Sequence, residues 1–381
     1  MRFETAAIHV GQDPDPATGS VVVPIYQTST YVQEAVGRHK GYEYSRTDNP
    51  TRRALETCLA ALEGVAHCVS FSSGMAAITT IAMTFPSGSR MLIPDDVYGG
   101  TYRLFSKVMS ELGQDFEAVD MTDLDAVGAA CARGADMLVV ETPTNPLLKI
   151  LDIAELARLG HDAGALVVVD NTFATPYIQR PLDFGADAAV YSATKYLGGH
   201  SDLVMGTVST SDDELAAQLR FLQNAVGAVP GPFDAWLLLR GLKTLAIRMR
   251  AHSEGAARVA EFLGTHGAVT RVYYPGLESS AGHDVATRQM AASGVPLYGG
   301  MVGFEVSTSE LALEVCSATE LFWLGESLGG VESLIEHPYQ MTHLSLAGSG
   351  MEVPDTLIRL SVGIEHPDDL IADLASALRE P

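Results

Sequence analysis

Residues 166–200 read LVVVDNTFATPYIQRPLDFGADAAVYSATKYLGGH, and this stretch decides the fold. It contains two short apolar runs, at 166–170 and 188–192, in which polar and apolar residues do not alternate. Continuous runs of this kind are typical of strands buried on both faces of a parallel sheet. Ligands of such sheets bind beyond the carboxyl ends of the strands. The polar residues that follow each run are therefore the first candidates for a functional site.

The same pattern extends outward along the chain. Further apolar runs lie at 68–72, 91–94, 137–141 and 203–208, with helical patterns between the runs at 51–63, 74–84, 100–112 and 152–163. This alternation predicts an α/β fold in which a mostly parallel central sheet is covered by helices.

The two ends of the chain have a different texture. Residues 1–47 show weak periodicity, which predicts an extended N-terminal arm. The C-terminal part has a helical stretch at 244–265, strands near 269–274 and 301–306, and helices near 309–319 and 367–379. These elements predict a smaller α+β domain. The predicted organisation is an arm at 1–47, a large domain at 48–243 and a small domain at 244–381.

The composition excludes several classes of function. The 381 residues include 47 acidic and 24 basic ones, so the formal net charge is −23. A chain this acidic lacks the positive surface that binds nucleic acids. We find no apolar segment of about 18 residues that predicts a membrane span, and no N-terminal pattern that predicts a signal peptide. The four cysteines form no C-x-x-C pair, which indicates reduced thiols in a cytoplasmic protein.

Only five of the basic residues are lysines, and one of them occupies a special place. Lys195 follows the apolar run at 188–192, beside the hydroxyl residues Ser192 and Thr194 and before a glycine-rich turn. The other four lie in the arm, in helical stretches or beyond a proline turn: Lys40, Lys107, Lys149 and Lys243. A lysine amine held out of water at a strand end can form a Schiff base.

Polar residues at other strand ends complement this lysine. A helix start at Gly74 suits a phosphate, Tyr98 suits a flat ring, and Asp170 suits a protonated ring nitrogen. Each also has an ordinary structural alternative: an N-cap, a packed ring, or, for Asp170, an N-cap or a metal ligand. Taken together with Lys195, they predict a pyridoxal-phosphate site and no metal site. The glycine motifs of dinucleotide and nucleoside-triphosphate sites are absent from the expected positions.

Six longer motifs carry a resemblance to a known family. They are YSRTDNPTR at 44–52, SSGMAA at 72–77, ETPTNP at 141–146, VDNT at 169–172, SATKY at 192–196 and RLSVG at 359–363. In this order, and over essentially the whole chain, they resemble the transsulfuration family. This is the Cys/Met-metabolism group of fold-type I pyridoxal-phosphate enzymes. The resemblance implies that fold, that cofactor and a sulfur-containing amino acid as substrate.

The resemblance also implies roles for individual residues. Lys195 would form the Schiff base and shuttle protons, Asp170 would pair with the pyridinium nitrogen, and Tyr98 would stack on the ring and act as acid or base. Further cofactor-binding residues would be Gly74, Met75, Asn145, Thr172, Ser192 and Thr194, with Tyr44 and Arg46 reaching the phosphate of a neighbouring subunit. Substrate binding would fall to Arg359, which would hold the α-carboxylate, and to Ser327, Glu43, Glu326, Arg103 and Thr342. Such enzymes are homotetramers built of catalytic dimers.

A few residues bear on which reaction of the family is catalysed. Glu43 and Glu326 are acids placed to attract the distal ammonium of cystathionine. Their alternative is plain surface charge. Gly100 stands where methionine γ-lyases typically carry cysteine, and residues 222–230 resemble cystathionine γ-lyases. These features favour γ-elimination of cystathionine, with γ-replacement on an O-acylhomoserine and then methionine γ-elimination as alternatives.

Two positions depart from the family pattern. Asp48 stands where the family usually has glycine, and Leu344 replaces a usual alanine. We expect Asp48 to alter the turn that carries Arg46, and Leu344 to narrow the substrate pocket or to mark a specialised substrate. A non-catalytic protein that retains the fold is a further alternative, which the complete set of Lys195, Asp170, Tyr98 and Arg359 argues against.

Overall fold

A computed structural model describes residues 1–344, 351 and 353–378 of the chain. Its larger sheet has seven strands, β1 (His67–Phe71), β2 (Arg90–Pro94), β3 (Asp115–Val119), β4 (Met137–Glu141), β5 (Leu166–Asp170), β6 (Ala188–Ser192) and β7 (Gly206–Thr210). They lie in the order β1-β7-β6-β5-β4-β2-β3. Pairing is parallel from β3 across to β6, whereas β7 runs antiparallel to both β6 and β1. The prediction of a mostly parallel central sheet is confirmed.

Successive residues of the central strands face two separate apolar layers. Val139 and Val168 belong to the cluster on one side of the sheet. Leu138, Val140 and Val167 belong to the cluster on the other side. Because side chains alternate between the two faces of a strand, a run that is buried on both faces must be apolar at every position. This explains the continuous apolar runs of the sequence.

Helices precede, connect and follow the strands of this sheet along the chain. They are α1 (Phe3–His9), α2 (Pro50–Glu63), α3 (Gly74–Ala82), α4 (Gly99–Arg103), α5 (Leu124–Ala132), α6 (Ile153–Asp162), α7 (Thr175–Ile178), α8 (Asp213–Val226) and α9 (Pro232–Leu242). At the start of α2 the local sequence determines where the helix begins. The Asn49 side chain accepts hydrogen bonds from Thr51 N and Arg52 N at the start of α2, where Pro50 occupies the first turn.

The C-terminal part forms a second sheet of five strands. These are β8 (Val269–Tyr273), β9 (Met301–Val306), β10 (Trp323–Leu324), β11 (Leu334–Glu336) and β12 (Leu357–Ser361), in the order β10-β11-β12-β9-β8. The accompanying helices are α10 (Leu245–Thr265), α11 (His283–Gln289), α12 (Ser309–Ala318), α13 (Pro338–Met341) and α14 (Pro367–Ala377). The predicted α+β texture is confirmed. Residue 379, the predicted end of the last helix, lies outside the described residues, and the domain limits stay a prediction.

Several local expectations differ from the structure. Strand β3 was not predicted, because it lies at the sheet edge, is partly exposed and carries two acids. The predicted helix at 100–112 divides into α4 and a wider π-helical stretch at Leu104–Met109. The predicted strand at 203–208 is displaced to Gly206–Thr210, since Met205 instead exchanges hydrogen bonds with the Thr194 hydroxyl. The N-terminal arm contains α1, whose buried Ala6 and Ala7 pack in one apolar cluster with α2.

The cysteines and the membrane prediction can also be compared with the structure. All four cysteines, Cys58, Cys68, Cys131 and Cys316, are free and buried. Burial raises the pKa of Cys58 and of Cys316 to about 12, so these thiols are poor nucleophiles. Among the described residues, every helix is too short or too polar to cross a bilayer.

Candidate active site

One cavity lies where the carboxyl ends of the parallel strands meet residues of the second sheet. Its volume is about 290 Å³. Thirteen of the predicted site residues line it: Gly74, Met75, Tyr98, Asn145, Asp170, Thr172, Ser192, Thr194, Lys195, Glu326, Ser327, Thr342 and Arg359. The cavity thus brings together the strand-end candidates Gly74, Tyr98, Asp170 and Lys195 and residues implied only by the family resemblance, such as Arg359.

Lys195 is the lysine of this cavity. Its Nζ donates a hydrogen bond to Ser327 Oγ at 2.6 Å, and Ser327 itself has a left-handed backbone with φ of 92°. Burial and the nearby Arg359 charge lower the pKa of Lys195 to about 8. Glu336 and Glu326 oppose this shift. A substantial fraction of the amine is therefore neutral near physiological pH, as a nucleophile or base must be.

One end of the cavity is built from main chain and hydroxyls. Helix α3 begins there, and Ser73 Oγ caps it by accepting from Ala76 N at 3.0 Å. A Cβ on Gly74 would lie 2.8 Å from the Ser192 Cβ, so only glycine leaves this space open. The Ser192 hydroxyl makes no hydrogen bond within the described part of the chain. The N-cap interpretation of the Ser-Gly turn is confirmed, because Ser73 caps the helix. Gly74 and Ser192 leave a cradle that suits a phosphate, and phosphate binding there stays a prediction.

Asp170 provides a half-buried carboxyl at the end of β5, where it lines the cavity. Its Oδ1 accepts from Thr172 N at 3.0 Å and from Thr172 Oγ1 at 2.5 Å. Its hydrogen bonds among the described residues all end on Oδ1, which leaves Oδ2 for a donor in the cavity. Burial raises the pKa of Asp170, against the effect of the Thr172 hydrogen bonds. A cationic N–H at this place would stabilise the anion.

Arg359 provides a buried cation in the cavity wall. Its Nη1 donates to Asn145 Oδ1 at 2.8 Å, and its Nη2 donates to the Ser327 carbonyl at 2.9 Å. Nη2 also lies 2.9 Å from Glu336 Oε2, as an ion pair rather than an aligned hydrogen bond. The Arg359 Nε is buried and has no hydrogen-bond partner among the described residues. The guanidinium is held in place and retains a free donor for an anion.

Tyr98 stands at the mouth of the cavity with 38% of its surface exposed. Its ring lies directly over Gly100, and a Cβ on that glycine would overlap the ring and touch Met75 Sδ. Gly100 therefore sets the ring position by having no side chain. The phenol is left accessible to a ligand in the cavity.

These observations satisfy the chemical demands of pyridoxal phosphate. The Gly74 cradle suits its phosphate, the free Oδ2 of Asp170 suits its ring nitrogen, and the Lys195 amine suits its aldehyde. The orphaned Arg359 Nε then remains for a carboxylate of the substrate.

Four predicted residues lie elsewhere. Glu43, Tyr44 and Arg46 are exposed on the arm. Tyr44 and Arg46 line a separate cavity of about 480 Å³, where Arg46 Nε donates to Asn224 Oδ1 at 3.2 Å. Within one subunit, Glu43 and Glu326 therefore do not come together. Arg103 is exposed and does not line the cavity. Burial lowers the pKa of His343 to about 4, and the charges of Arg359 and, to a smaller extent, Arg103 act in the same direction.

Both departures from the family pattern lie outside the cavity wall. Asp48 has an ordinary negative φ, caps Asn49 N at 2.8 Å and pairs with Arg53. Leu344 is 59% exposed and is not part of the cavity wall, so the expectation that it narrows the pocket is wrong for this subunit.

Sequence reasoning missed two buried acids. Glu141 closes β4 as Asp170 closes β5 and lines the cavity. The argument applied to Asp170 would have found it. Glu336 pairs with Arg359 and accepts from Thr342 Oγ1 at 2.9 Å. No local sequence signal marks Glu336, because its partner lies on a strand that is distant along the chain.

Comparison with known proteins bears on the same site. A family model described as Cys/Met metabolism PLP-dependent enzyme matches residues 4–379. The chain is 55% identical to a cystathionine gamma-synthase of Mycobacterium tuberculosis over 378 residues, which cover 98% of this chain and 96% of the relative. It is 50% identical to a cystathionine beta-lyase of Lactococcus lactis and 48% identical to a cystathionine gamma-lyase of Bacillus subtilis, each over 99% of both chains.

A solved structure agrees with these relatives. The crystal structure of metB from Corynebacterium glutamicum superposes with a TM-score of 0.96 at 47% identity. The superposition covers 99% of this chain and 98% of that one. The similarity therefore extends over both sheets and the cavity between them.

Proposed function

The chain belongs to the family of Cys/Met metabolism enzymes that depend on pyridoxal phosphate, and we propose that it cleaves the γ-carbon–sulfur bond of L-cystathionine. With one water, the products are L-cysteine, 2-oxobutyrate and ammonia. Cystathionine is common to the names of the three relatives, which differ in whether it is made or broken and at which carbon.

The observation that carries this proposal is the position of Glu326. Its carboxylate lines the same cavity as Lys195 and the carboxylate-binding Arg359. Cystathionine has an amino acid group at each end, and methionine has only one. An acid in the substrate cavity attracts the second ammonium group of cystathionine, whereas methionine has no second ammonium group for it to bind.

Four residues of the cavity have separate roles in the proposed reaction. When bound, pyridoxal phosphate supplies an aldehyde for the substrate amine and a ring that accepts electrons from the α-carbon. Asp170 keeps the ring nitrogen protonated, and Arg359 orients the substrate through its α-carboxylate. Lys195 removes the α-proton, because its lowered pKa of about 8 leaves part of the amine neutral. Tyr98 stands at the mouth of the cavity, where its phenol can give a proton to the departing sulfur.

The second candidate is the γ-replacement that makes cystathionine from an O-acylhomoserine and cysteine. The 55% identity to the mycobacterial gamma-synthase favours it. Both reactions use the same residues as far as loss of the γ-substituent. They separate afterwards, because replacement adds the cysteine sulfur to the γ-carbon, whereas elimination adds a proton there and releases an imine that water hydrolyses to 2-oxobutyrate and ammonia.

Two assays on one preparation decide between them. The first measures 2-oxobutyrate and cysteine released from cystathionine, and the second measures cystathionine formed from O-acylhomoserine and cysteine. We expect the first rate to exceed the second. Cystathionine formation with negligible elimination would overturn the proposal in favour of the synthase. Methionine and homocysteine serve as further substrates for the third alternative.

The arm residues belong to the same proposal. Tyr44 and Arg46 are exposed and do not line the Lys195 cavity of their own subunit, which supports a role at the phosphate of a neighbouring subunit in a cytoplasmic homotetramer. Mixing two inactive variants, R46A and K195A, tests this. Mixed assemblies regain some intact sites if Arg46 acts across subunits, and they stay inactive if it acts within its own.

A further inference from the structure

Glu141 is a buried acid of the cavity to which neither the family motifs nor the proposed reaction assigns a task. It ends β4, where it stands in register with Asp170 at the end of β5. Its side chain is 5% exposed and forms part of the cavity wall. Parallel pairing therefore brings the two carboxyls to the same edge of the sheet.

The hydrogen bonds of Glu141 reach two different loops. Its Oε1 accepts from Asn145 N at 2.7 Å, and both of its oxygens lie 3.2 Å from Tyr98 N, which donates to them. Tyr98 and Asn145 are the residues proposed to meet the cofactor at its face and its edge. The Glu141 carboxyl at the end of β4, beside Asp170, therefore accepts hydrogen bonds from both loops.

We propose that Glu141 is a positioning residue for the cofactor ring, which it orients by holding the main chain of Tyr98 and of Asn145 against the end of β4. The inference rests on the cofactor of the family and on the proposed placement of its ring. It does not depend on which reaction the enzyme catalyses.

The electrostatics of the site agree with a role based on hydrogen bonding. Glu141 lies near two further carboxyls, those of Asp170 on β5 and of Asp96 in the loop after β2. Burial and the Asp170 charge raise the pKa of Glu141 well above its usual range. A neutral acid keeps its carbonyl oxygen as an acceptor for the two main-chain N–H groups.

Asp96 offers a matched control within the same turn. It is also buried, and it accepts from Thr144 Oγ1 and from Leu147 N at 3.2 Å, next to the Asn145 attachment. It does not line the cavity. Truncation of either acid removes a buried carboxyl that holds this turn, but only Glu141 also holds Tyr98.

The experiment compares the holoenzymes of E141A and D96A. Visible circular dichroism of the bound cofactor reports how rigidly its ring is held, and dialysis reports its dissociation constant. We expect both variants to unfold at lower temperature. In E141A the cofactor dichroism should fall and the dissociation constant should rise about tenfold, as expected for losing hydrogen bonds. In D96A the dichroism per bound cofactor should match the wild type. Equal loss of dichroism in the two variants would overturn the proposal.

Two conservative variants keep the test decisive if E141A does not fold. E141Q keeps the length and the carbonyl acceptor, whereas E141D keeps the acid but is about 1.5 Å shorter. We expect E141Q to retain the dichroism and the cofactor affinity and E141D to lose much of both. The proposal that Glu141 acts by reaching the two loops would be contradicted in either of two cases. In the first, E141D has the cofactor dichroism and affinity of the wild type; in the second, E141Q loses as much of both as E141D. These readouts need no substrate, so they are independent of the proposed lyase activity.

Discussion

The Arg359 guanidinium and the Glu336 carboxyl face each other across the paired strands β12 and β11, 2.9 Å apart, with only 3% and 1% of their side chains exposed. The residue proposed to bind the substrate carboxylate therefore already has a buried counter-charge. This partner holds the guanidinium in place before substrate arrives, and it limits how strongly Arg359 attracts any further anion.

Replacing Glu336 by Gln should show how strongly its carboxyl stabilises the buried Arg359 guanidinium. The buried guanidinium loses its counter-charge, so we expect the free energy of unfolding to fall by about 3 kcal/mol. A simple carboxylate such as propionate should restore stability to E336Q more than it stabilises the wild type. Denaturant unfolding with and without propionate provides the measurement. The half-buried Glu305 on β9 gives a control, E305Q, that propionate should not rescue. An E336Q protein as stable as the wild type would contradict the account.

Gly100 should determine where the Tyr98 ring lies in this chain. A Cβ at residue 100 would overlap that ring. We expect G100A to lower kcat/KM by about tenfold or more, because small displacements at a reacting group are costly. Gly128 on α5 is a matched control, since a Cβ there would meet only Leu159 at 3.7 Å. G128A should keep full activity. If both variants kept full activity, the position of the Tyr98 ring would not affect the rate of the reaction.

The uptake of cofactor by the apoenzyme should depend on pH through Lys195. Only the neutral amine reacts with an aldehyde, so the rate of uptake should rise with pH and be half-maximal near pH 8. Glu326 raises the pKa of Lys195, and therefore E326Q should move this midpoint to lower pH. Absorbance-monitored reconstitution of the apoenzyme over pH 6–10 measures both midpoints. A midpoint that stays unchanged in E326Q would show that the two side chains are not coupled.

The buried Glu63 should make stability depend on pH. Burial raises its pKa to about 8 in the folded state, although Tyr191 donates a hydrogen bond to it. The folded chain therefore holds a proton that the unfolded chain releases above its ordinary pKa of about 4.5. The stabilising effect of this proton is full below that pH and is lost as the pH rises towards 8.

The E63Q variant removes this titration. Relative to E63Q, the wild type should lose about 1.4 kcal/mol of unfolding free energy per pH unit between about pH 5 and 8. Urea unfolding of both proteins at pH 5.5 and 7.5 measures the change, and E310Q, at an exposed position of α12, serves as a control. A difference between wild type and E63Q that is the same at both pH values would rule out a buried, titrating Glu63.

The sequence predicted those parts of the molecule that depend on local pattern. Continuous apolar runs located the buried strands, and the polar residues after them, among them Lys195 and Asp170, proved to line one cavity. The sequence did not predict edge strand β3, because this strand is partly exposed and so lacks an uninterrupted apolar run. The sequence did not predict the pairing of Glu336 with Arg359, because that pairing depends on the register between the two strands that carry them. The arm residues Glu43, Tyr44 and Arg46 were assigned through the family resemblance, and their role across subunits stays a prediction.

The central claim is that Lys195, alone among the five lysines, holds the cofactor. Borohydride reduction of the holoenzyme fixes the cofactor to the lysine that carries it, and peptide mass mapping then identifies that residue. The account predicts one modified peptide, the one that contains Lys195, and no modification in K195A. A cofactor fixed to Lys149 or to any other lysine, or a protein that binds no cofactor at all, would contradict it.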